Sequence, residues 1–156
     1  MKTGKNKKSS IAALNTFNNK VFYTLTDAET RKLGSDFAGV LKPKDIVFLN
    51  GDLGAGKTTF IQGIMSGFGV NGFVRSASFM LVSEFESQKC KLYHLDLYRL
   101  DENNVFDLGI DEYLFGDGIS FIEWSDRISH YNIKKRWEVK IDYTENGRKI
   151  KIKRHL

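Results

Sequence analysis

The chain has 156 residues, close to one average domain, so its length excludes a large multidomain machine. A composition of 41% hydrophobic and 28% charged residues is that of a globular chain with a buried core, which excludes a wholly disordered protein. No stretch approaches the roughly 20 apolar residues of a membrane helix, and no signal peptide is evident. Because the single cysteine, Cys90, cannot form an internal disulfide, we expect a reducing, cytoplasmic location away from membranes.

Charge is unevenly distributed along the chain. Residues 1–20 hold five lysines and no acid, which accounts for the whole formal net charge of +5. Residues 96–126 carry nine acids against one arginine, whereas residues 127–156 carry ten bases against three acids. These oppositely charged segments are typical either of solvated faces or of surfaces that attract a polyanion or a charged protein. The basic C-terminal hairpin is interpreted as a solvated surface, since it shows no stacking platform for RNA.

The N-terminal part of the chain predicts a leader, a strand and a helix. The Lys-, Ser- and Asn-rich residues 1–19 predict a basic, frayed or weakly helical leader outside the fold, which leaves residues 20–156 as a single domain. Residues 21–25 are typical of a strand. Thr26, followed by Glu29, forms a capping box that predicts the start of a helix.

The next segment carries the clearest functional signal. The apolar residues 46–49 predict a strand buried inside a parallel sheet, and residues 51–58 (GDLGAGKT) fit the P-loop pattern G-x-x-x-x-G-K-S/T before an amphipathic helix. The glycines let backbone N–H groups converge on phosphate oxygens at the helix N-terminus. In such a loop Lys57 reaches the β- and γ-phosphates and Thr58 coordinates Mg²⁺. A glycine-rich turn without a ligand is the alternative.

The remaining elements complete an α/β pattern. The predicted fold is P-loop NTPase-like, with a mainly parallel sheet flanked by helices and a C-terminal antiparallel hairpin. In chain order the later elements are strands at residues 79–85 and 91–97, a short helix capped by Asp101 that ends at residue 108, a buried strand at 119–122, and a hairpin at 137–152 whose turn contains Asn146-Gly147.

Two acidic residues follow predicted strands. Glu123 comes directly after a buried strand and Asp96 lies at or near the end of another, so both are expected at the carboxyl edge of the sheet, where ligands bind. Glu123 is interpreted as a direct or water-mediated Mg²⁺ ligand and Asp96 as the residue that orients water or metal. Each carboxylate has a structural alternative, namely capping the next helix or pairing with Arg99 or Arg127.

Two further side chains are candidates. Ser78 lies after the P-loop helix, where nucleotide-binding proteins often place a loop that senses the γ-phosphate, although an ordinary serine turn is equally compatible. His94 precedes Asp96 by two residues and is a candidate general base, although packed, hydrogen-bonded histidines are more common.

Six segments, in order, carry a resemblance to a known family. From about Thr24 to Lys151 the chain resembles the TsaE (YjeE) family of small bacterial P-loop ATPases. The segments are GDLGAGKTTF at 51–60, SASFMLV at 76–82, YHLDLYRL at 93–100, LGIDEY at 108–113, FIEW at 121–124 and the hairpin residues GR at 147–148.

The resemblance implies a subunit that binds ATP and Mg²⁺ and works with the TsaB and TsaD proteins. Together they make N6-threonylcarbamoyladenosine beside the anticodon of tRNAs that read ANN codons, so the subunit meets tRNA indirectly through the complex. Its partner-stimulated ATP hydrolysis would reset the complex without itself transferring the threonylcarbamoyl group. A small-molecule kinase and a nucleotide-dependent binding module with little turnover are the alternatives.

The resemblance also implies roles for individual residues. Carried over by position, Lys57, Asp96, Glu123 and Ser78 form the catalytic set, with Thr58 and Glu123 as the metal ligands. The helix start near Thr26 and Asp27 would flank the adenine. The nucleotide-binding residues would be Leu53, Gly54, Ala55, Gly56, Lys57, Thr58, Thr59 and Arg148.

Two segments depart from the family pattern. The family usually has Ser-Pro-Thr where this chain has Ser76-Ala77-Ser78, and usually a proline where it has Ser125. A hydroxyl is kept at residue 78, but the absence of proline at 77 removes a fixed φ, which is expected to loosen the loop.

Overall fold

The computed structural model describes residues 11–70, 81–105 and 109–156. Within these ranges no helix has the length and apolar character needed to cross a membrane. The elements, in chain order, are α1 (residues 11–17), β1 (Lys20–Thr24), α2 (Asp27–Ala38), β2 (Ile46–Asn50), α3 (Lys57–Gly67), β3 (Val82–Glu86), β4 (Lys91–Asp96), α4 (Glu102–Val105), α5 (Asp111–Leu114), β5 (Ile119–Glu123), a 3₁₀ helix (Ser125–Tyr131), β6 (Arg136–Tyr143) and β7 (Arg148–His155).

The strands form one seven-stranded sheet in the order β1-β7-β6-β2-β5-β4-β3. The central pairings, β6 with β2, β2 with β5 and β5 with β4, are parallel. The outer pairings of β1 with β7, β7 with β6 and β3 with β4 are antiparallel. The predicted α/β class and C-terminal hairpin are therefore confirmed, in a mixed sheet whose parallel part is its centre.

Side chains on the two faces of the sheet form two separate apolar clusters. One cluster lies under α2 and α3, and the other lies under α5 and the 3₁₀ helix at the β4–β5 end. Both α5 and the 3₁₀ helix were absent from the sequence prediction. The first cluster includes Phe37, Val47, Leu49, Phe60, Phe121 and Val139, and the second includes Ile46, Leu95, Ile110, Leu114, Ile122 and Ile128.

The two long helices, α2 and α3, pack unusually closely. A Cβ atom added at Gly34 would lie 2.4 Å from the Phe60 carbonyl oxygen, and one added at Gly63 would lie 2.1 Å from that of Arg31. Any larger residue at either position would push the helices apart. This contact fixes α3, and with it the P-loop at the start of α3, against the rest of the domain.

The predicted helix caps are present. The Thr26 hydroxyl accepts a hydrogen bond from the Glu29 N–H at 3.1 Å, and the Glu29 carboxylate accepts one from the Leu25 N–H at 2.6 Å. Asp101 accepts a bond from the Asn104 N–H at 2.8 Å at the start of α4. The predicted end of that helix at residue 108, and the predicted strand start at residue 79, lie outside the described residues.

The predicted boundary between leader and domain is wrong for residues 11–19. Phe17, in α1, is only 6% exposed and packs against Phe22 and Phe37 at ring-centroid distances of 5.6 and 5.4 Å. The Asn18 side chain also accepts a hydrogen bond from the Arg154 N–H at 2.9 Å. One aromatic residue therefore anchors a segment whose polar composition predicted a frayed or weakly helical leader outside the fold; residues 11–17 are helical, but they pack on the domain. The first ten residues lie outside the described part.

Candidate functional site

Three parallel strands bring the predicted site residues to one edge of the sheet. Glu123, the last residue of β5, pairs in register with Leu49 of β2 on one side and with Asp96, the last residue of β4, on the other. The P-loop begins directly after β2. Because parallel strands end at the same edge, the loop and both carboxylates lie together, as the sequence predicted.

The P-loop has the backbone shape that an anion site requires. Gly54 and Gly56 have φ values of 77° and 108°, in the left-handed region that other residues rarely adopt. Gly56 is the N-cap of α3 and makes no side-chain cap, so the N–H groups of the first helical turn are left to another acceptor. The Ala55 side chain is 2% exposed and belongs to the core, so only its backbone faces a ligand.

A cleft of about 190 Å³ lies in front of this loop. It gathers the predicted catalytic, metal-binding and phosphate-binding residues except Ala55 and Ser78, and Ser78 lies outside the described residues. The candidate base His94 and the predicted adenine-flanking residues Thr26 and Asp27 do not line it. Tyr98 and Trp124, which were not predicted, also line it. Trp124 directly follows Glu123 and Tyr98 lies two residues beyond Asp96, and this proximity to the strand-end acids was the available signal. The lining residues are Leu53, Gly54, Gly56, Lys57, Thr58, Thr59, Asp96, Tyr98, Glu123, Trp124 and Arg148.

The Lys57 side chain lies along the wall of the cleft. It is 6% exposed, and its Nζ donates to the carbonyl oxygens of Gly51 and Asp52, the latter at 3.4 Å. The same Nζ lies 5.2 Å from the ring centroid of Trp124, within the range of a cation–π contact. The lysine is thus held beside the loop whose phosphate-binding role the motif predicts.

Glu123 is held by a histidine. His94 Nε2 lies 2.8 Å from Glu123 Oε2, and both side chains are buried. His94 Nδ1 has no hydrogen-bond partner among the described residues. The structure therefore makes His94 a packed, hydrogen-bonded histidine, while Arg127, the alternative partner of Glu123, pairs with Asp126 at 3.6 Å.

Asp96 lies beside Glu123 and is nearly buried. Its Oδ1 accepts a hydrogen bond from the Tyr98 N–H at 3.1 Å, so the residue also caps the turn that follows β4. Burial, and then the negative charge of Glu123, raise the pKa of Asp96 above its usual value; the Tyr98 N–H, His94 and Lys57 oppose this shift. The cleft therefore contains a carboxylate that binds a proton more readily than an exposed aspartate.

Arg148, at the start of β7, links α2 to the P-loop. Its guanidinium donates to Asp27 at 2.7 Å and to the Thr30 hydroxyl at 3.1 Å. A Cβ at Gly56 would lie 2.5 Å from Arg148 Nε, so the arginine lies directly over the loop. Two residues that the resemblance assigned to the nucleotide, Asp27 and Arg148, are thereby brought together. Tyr143, which the sequence analysis missed, donates its hydroxyl to the Gly54 carbonyl oxygen.

A P-loop between a buried central strand and a helix, with carboxylates at two adjacent strand ends, defines a P-loop protein of the α/β class. The family model for the threonylcarbamoyl adenosine biosynthesis protein TsaE matches residues 24–151. The chain belongs to the TsaE family, which confirms the resemblance and its extent.

Curated relatives and a solved structure agree with this assignment. Three relatives are each described as a tRNA threonylcarbamoyladenosine biosynthesis protein TsaE. That of Bacillus subtilis is 37% identical over 118 residues (76% of this chain, 74% of the relative), that of Rickettsia conorii is 40% identical over 127 residues (80% and 72%), and that of Aquifex aeolicus is 38% identical over 131 residues (83% and 92%). The crystal structure of Bacillus subtilis YdiB superposes with a TM-score of 0.74 at 31% identity, covering 87% of this chain and 84% of that one.

Proposed function

We propose that this protein is the ATP-binding and ATP-hydrolysing subunit needed for N6-threonylcarbamoyladenosine modification of tRNAs that read ANN codons. In this proposal it acts in the cytoplasm with TsaB and TsaD, and its ATP hydrolysis resets their complex between turnovers. The observation that carries the proposal is the convergence of Lys57, Thr58, Asp96 and Glu123 on one cleft. Family membership supplies the pathway.

The phosphate-binding part of the proposal rests on the loop and its surroundings. The left-handed glycines and the uncapped start of α3 present N–H donors and a positive dipole end to an anion. Lys57 and Arg148 add two positive charges to the walls of the same cleft. A triphosphate is the ligand that this combination of donors and charges fits best.

The residues also fit Mg²⁺. Thr58 offers a hydroxyl and Glu123 and Asp96 offer carboxylates to the same cleft, and oxygen donors of this kind are what Mg²⁺ binds. We assign Thr58 and Glu123 as the residues that would hold it. When bound, Mg²⁺ would neutralise charge on the transferring phosphoryl group.

Asp96 is the residue that we assign to the attacking water. Its raised pKa and its position beside Glu123 suit a carboxylate that orients a water molecule and receives its proton. Hydrolysis transfers the γ-phosphoryl group to that water and leaves ADP, so the protein's part is positioning and charge stabilisation. Ser78 keeps its proposed role as the switch hydroxyl.

Reconstituted tRNA modification tests this function. A tRNA transcript that reads an ANN codon is incubated with TsaB, TsaD and the precursor of the threonylcarbamoyl group, with or without this chain and ATP. We expect more than one modified tRNA per TsaB–TsaD complex only when the chain and ATP are both present. If Lys57→Ala supports as many turnovers as the natural chain, ATP hydrolysis at this site is not the resetting step.

A further inference from the structure

The sheet has an open face opposite α2 and α3 at its β1–β7–β6 end. Side chains of β7 alternate between the two faces: Ile150 and Ile152 are fully buried, whereas Lys149, Lys151 and Lys153 are exposed. We call these three residues the lysine row. Alternate residues of a strand are about 6.7 Å apart, so the row from Lys149 to Lys153 is about 13 Å long.

The lysine row has no ion-pair partner among the described residues, although acids lie on the same face. Glu138, opposite Lys153, is engaged by Arg136 at 3.3 Å. Asp142, opposite Lys149, is engaged by Lys140 at 3.8 Å. Three like charges are therefore held in a line, and none of them forms an ion pair with another described residue.

The neighbouring strands extend this positively charged surface. Lys140 of β6 pairs in register with Lys151. On the other side, Val21 and Tyr23 of β1 lie opposite Lys151 and Lys149 and are 43% and 68% exposed. The result is an exposed surface of four lysines that also contains Glu138 and Asp142 and is bordered by Val21 and Tyr23.

We infer that the lysine row binds the phosphate backbone of tRNA. A straight row of evenly spaced ammonium groups matches a polymer whose negative charges also repeat evenly, which nucleic acid has and a folded acidic protein surface does not. Backbone contacts need no stacking platform, so the absence of one in the sequence does not count against RNA. The choice of tRNA rests on the proposed function, and the inference replaces the indirect contact that the family resemblance implies with a direct one.

The position of the row connects it to the nucleotide cleft. Lys149 directly follows Arg148, which lines the cleft on the opposite side of the same strand. Strand β7 therefore carries a contact for each of the two proposed anions. A backbone anchored on the row would lie on the outer face of the sheet, where Lys140 and Asp142 of β6 share a second cleft with Gly51, Asp52 and Lys57.

The salt dependence of binding tests the inference. Fluorescence anisotropy of a labelled tRNA transcript is measured with the full chain from about 50 to about 200 mM salt, without nucleotide. For the triple variant K149Q/K151Q/K153Q we expect the slope of log K against log salt to fall in magnitude by about 2 to 3. The matched control K32Q/K89Q/K91Q removes the same charge from α2 and the opposite edge of the sheet and should keep the slope.

Two further variants keep the test decisive. If the triple variant unfolds, the single change Lys151→Gln should lower the slope by about 1. Lys57→Ala should abolish ATP hydrolysis yet keep the slope, which separates failure of this inference from failure of the proposed function. The inference is overturned if the natural chain does not bind tRNA at about 50 mM salt, or if the slope is unchanged in the row variants.

The same measurements identify a different occupant. The row variants and the control are also titrated against the TsaB–TsaD pair in the absence of tRNA. Weakened binding to the pair with an unchanged tRNA slope would make the face a protein interface and overturn the inference. If the slope of log K against log salt falls equally in the control triple variant, tRNA binding reflects general charge attraction and not a site on the lysine row. That result would also overturn the inference.

Discussion

His94 Nε2 and Glu123 Oε2 lie 2.8 Å apart between two buried side chains on adjacent strands. The contact is diagonal, because His94 pairs in register with Phe121 and Glu123 pairs with Asp96. It occupies one carboxylate oxygen and so fixes the plane of the group that we assign to Mg²⁺. In this account His94 is a positioning residue for the metal ligand.

Removal of this contact should weaken the metal-dependent part of nucleotide binding. His94→Leu leaves Glu123 buried without its partner, so we expect about a tenfold or greater loss of ATP affinity with Mg²⁺ and little change without it. His94→Gln keeps a donor near Nε2 and should restore most of the affinity. Titration of a fluorescent ATP analogue with and without Mg²⁺ makes the measurement.

A matched control separates positioning from simple loss of stability. Ser120 is fully buried on the same strand as Glu123, and its hydroxyl donates to the Tyr113 carbonyl oxygen at 2.6 Å. Ser120→Ala should lower the melting temperature but keep the Mg²⁺ dependence of binding. If His94→Leu weakens binding equally with and without Mg²⁺, its role is structural only.

Substitutions of the two strand-end carboxylates should have different effects on ATP binding and hydrolysis. Glu123→Ala is expected to lose Mg²⁺-dependent ATP affinity, whereas Asp96→Ala should keep most of that affinity and lower the hydrolysis rate by about a hundredfold or more. Binding titrations and single-turnover hydrolysis separate the two effects, and melting curves check the fold of both variants. Parallel losses of affinity and rate in both would show that the assignment is wrong.

Asp96 should reduce stability while it supports activity. Because the pKa of Asp96 is raised in the folded protein, its ionised form destabilises the fold. This cost is absent at pH values below the usual aspartate pKa, where the carboxyl group is protonated in both the folded and the unfolded chain. It is present in full above the raised pKa, where the carboxyl group is ionised in both. At neutral pH, Asp96→Asn removes this cost and keeps an acceptor for the Tyr98 N–H. We expect a melting temperature higher by up to about a few degrees, with slower hydrolysis. A lower melting temperature would contradict the inferred cost of burial.

Substitutions of Arg148 and Asp27 distinguish a nucleotide contact from an ion pair that only stabilises the fold. If Arg148 binds the nucleotide, Arg148→Ala should weaken ATP binding by about tenfold, since a charged hydrogen bond is worth about 1.5 to 3 kcal/mol. Asp27→Ala frees the guanidinium from its partner and should leave affinity equal or higher. Comparable losses of affinity in both variants, each with a lower melting temperature, would show that the pair only braces α2 against β7.

The sequence was most informative where a local pattern determines local geometry. The P-loop, the central strand and the cap at Thr26 needed only neighbouring residues, and the strand-end position of Glu123 followed from parallel pairing. The contact of His94 with Glu123 depends on strand register, which a single sequence leaves open. Likewise the bond from Arg148 to Asp27 joins residues 121 positions apart.

The missed elements have a similar cause. Helix α5 is a single turn and the 3₁₀ helix contains a kink at Ile128, so neither shows a sustained helical repeat in sequence. The burial of Phe17 arises from tertiary packing of one aromatic residue in a polar segment. Its contact with Phe37 joins α1 to α2, a tertiary contact that the local sequence pattern does not encode.

ATP hydrolysis by the purified chain, measured alone and with TsaB and TsaD, tests whether the partners drive turnover at this cleft. Lys57→Ala serves as the control for contaminating activity, since the lysine lies in the cleft and its loss should abolish turnover. We expect slow hydrolysis by the chain alone and a marked rise when both partners are added. Two results would contradict partner-stimulated hydrolysis at this cleft: a rate that does not change when TsaB and TsaD are added, or a rate that Lys57→Ala does not lower.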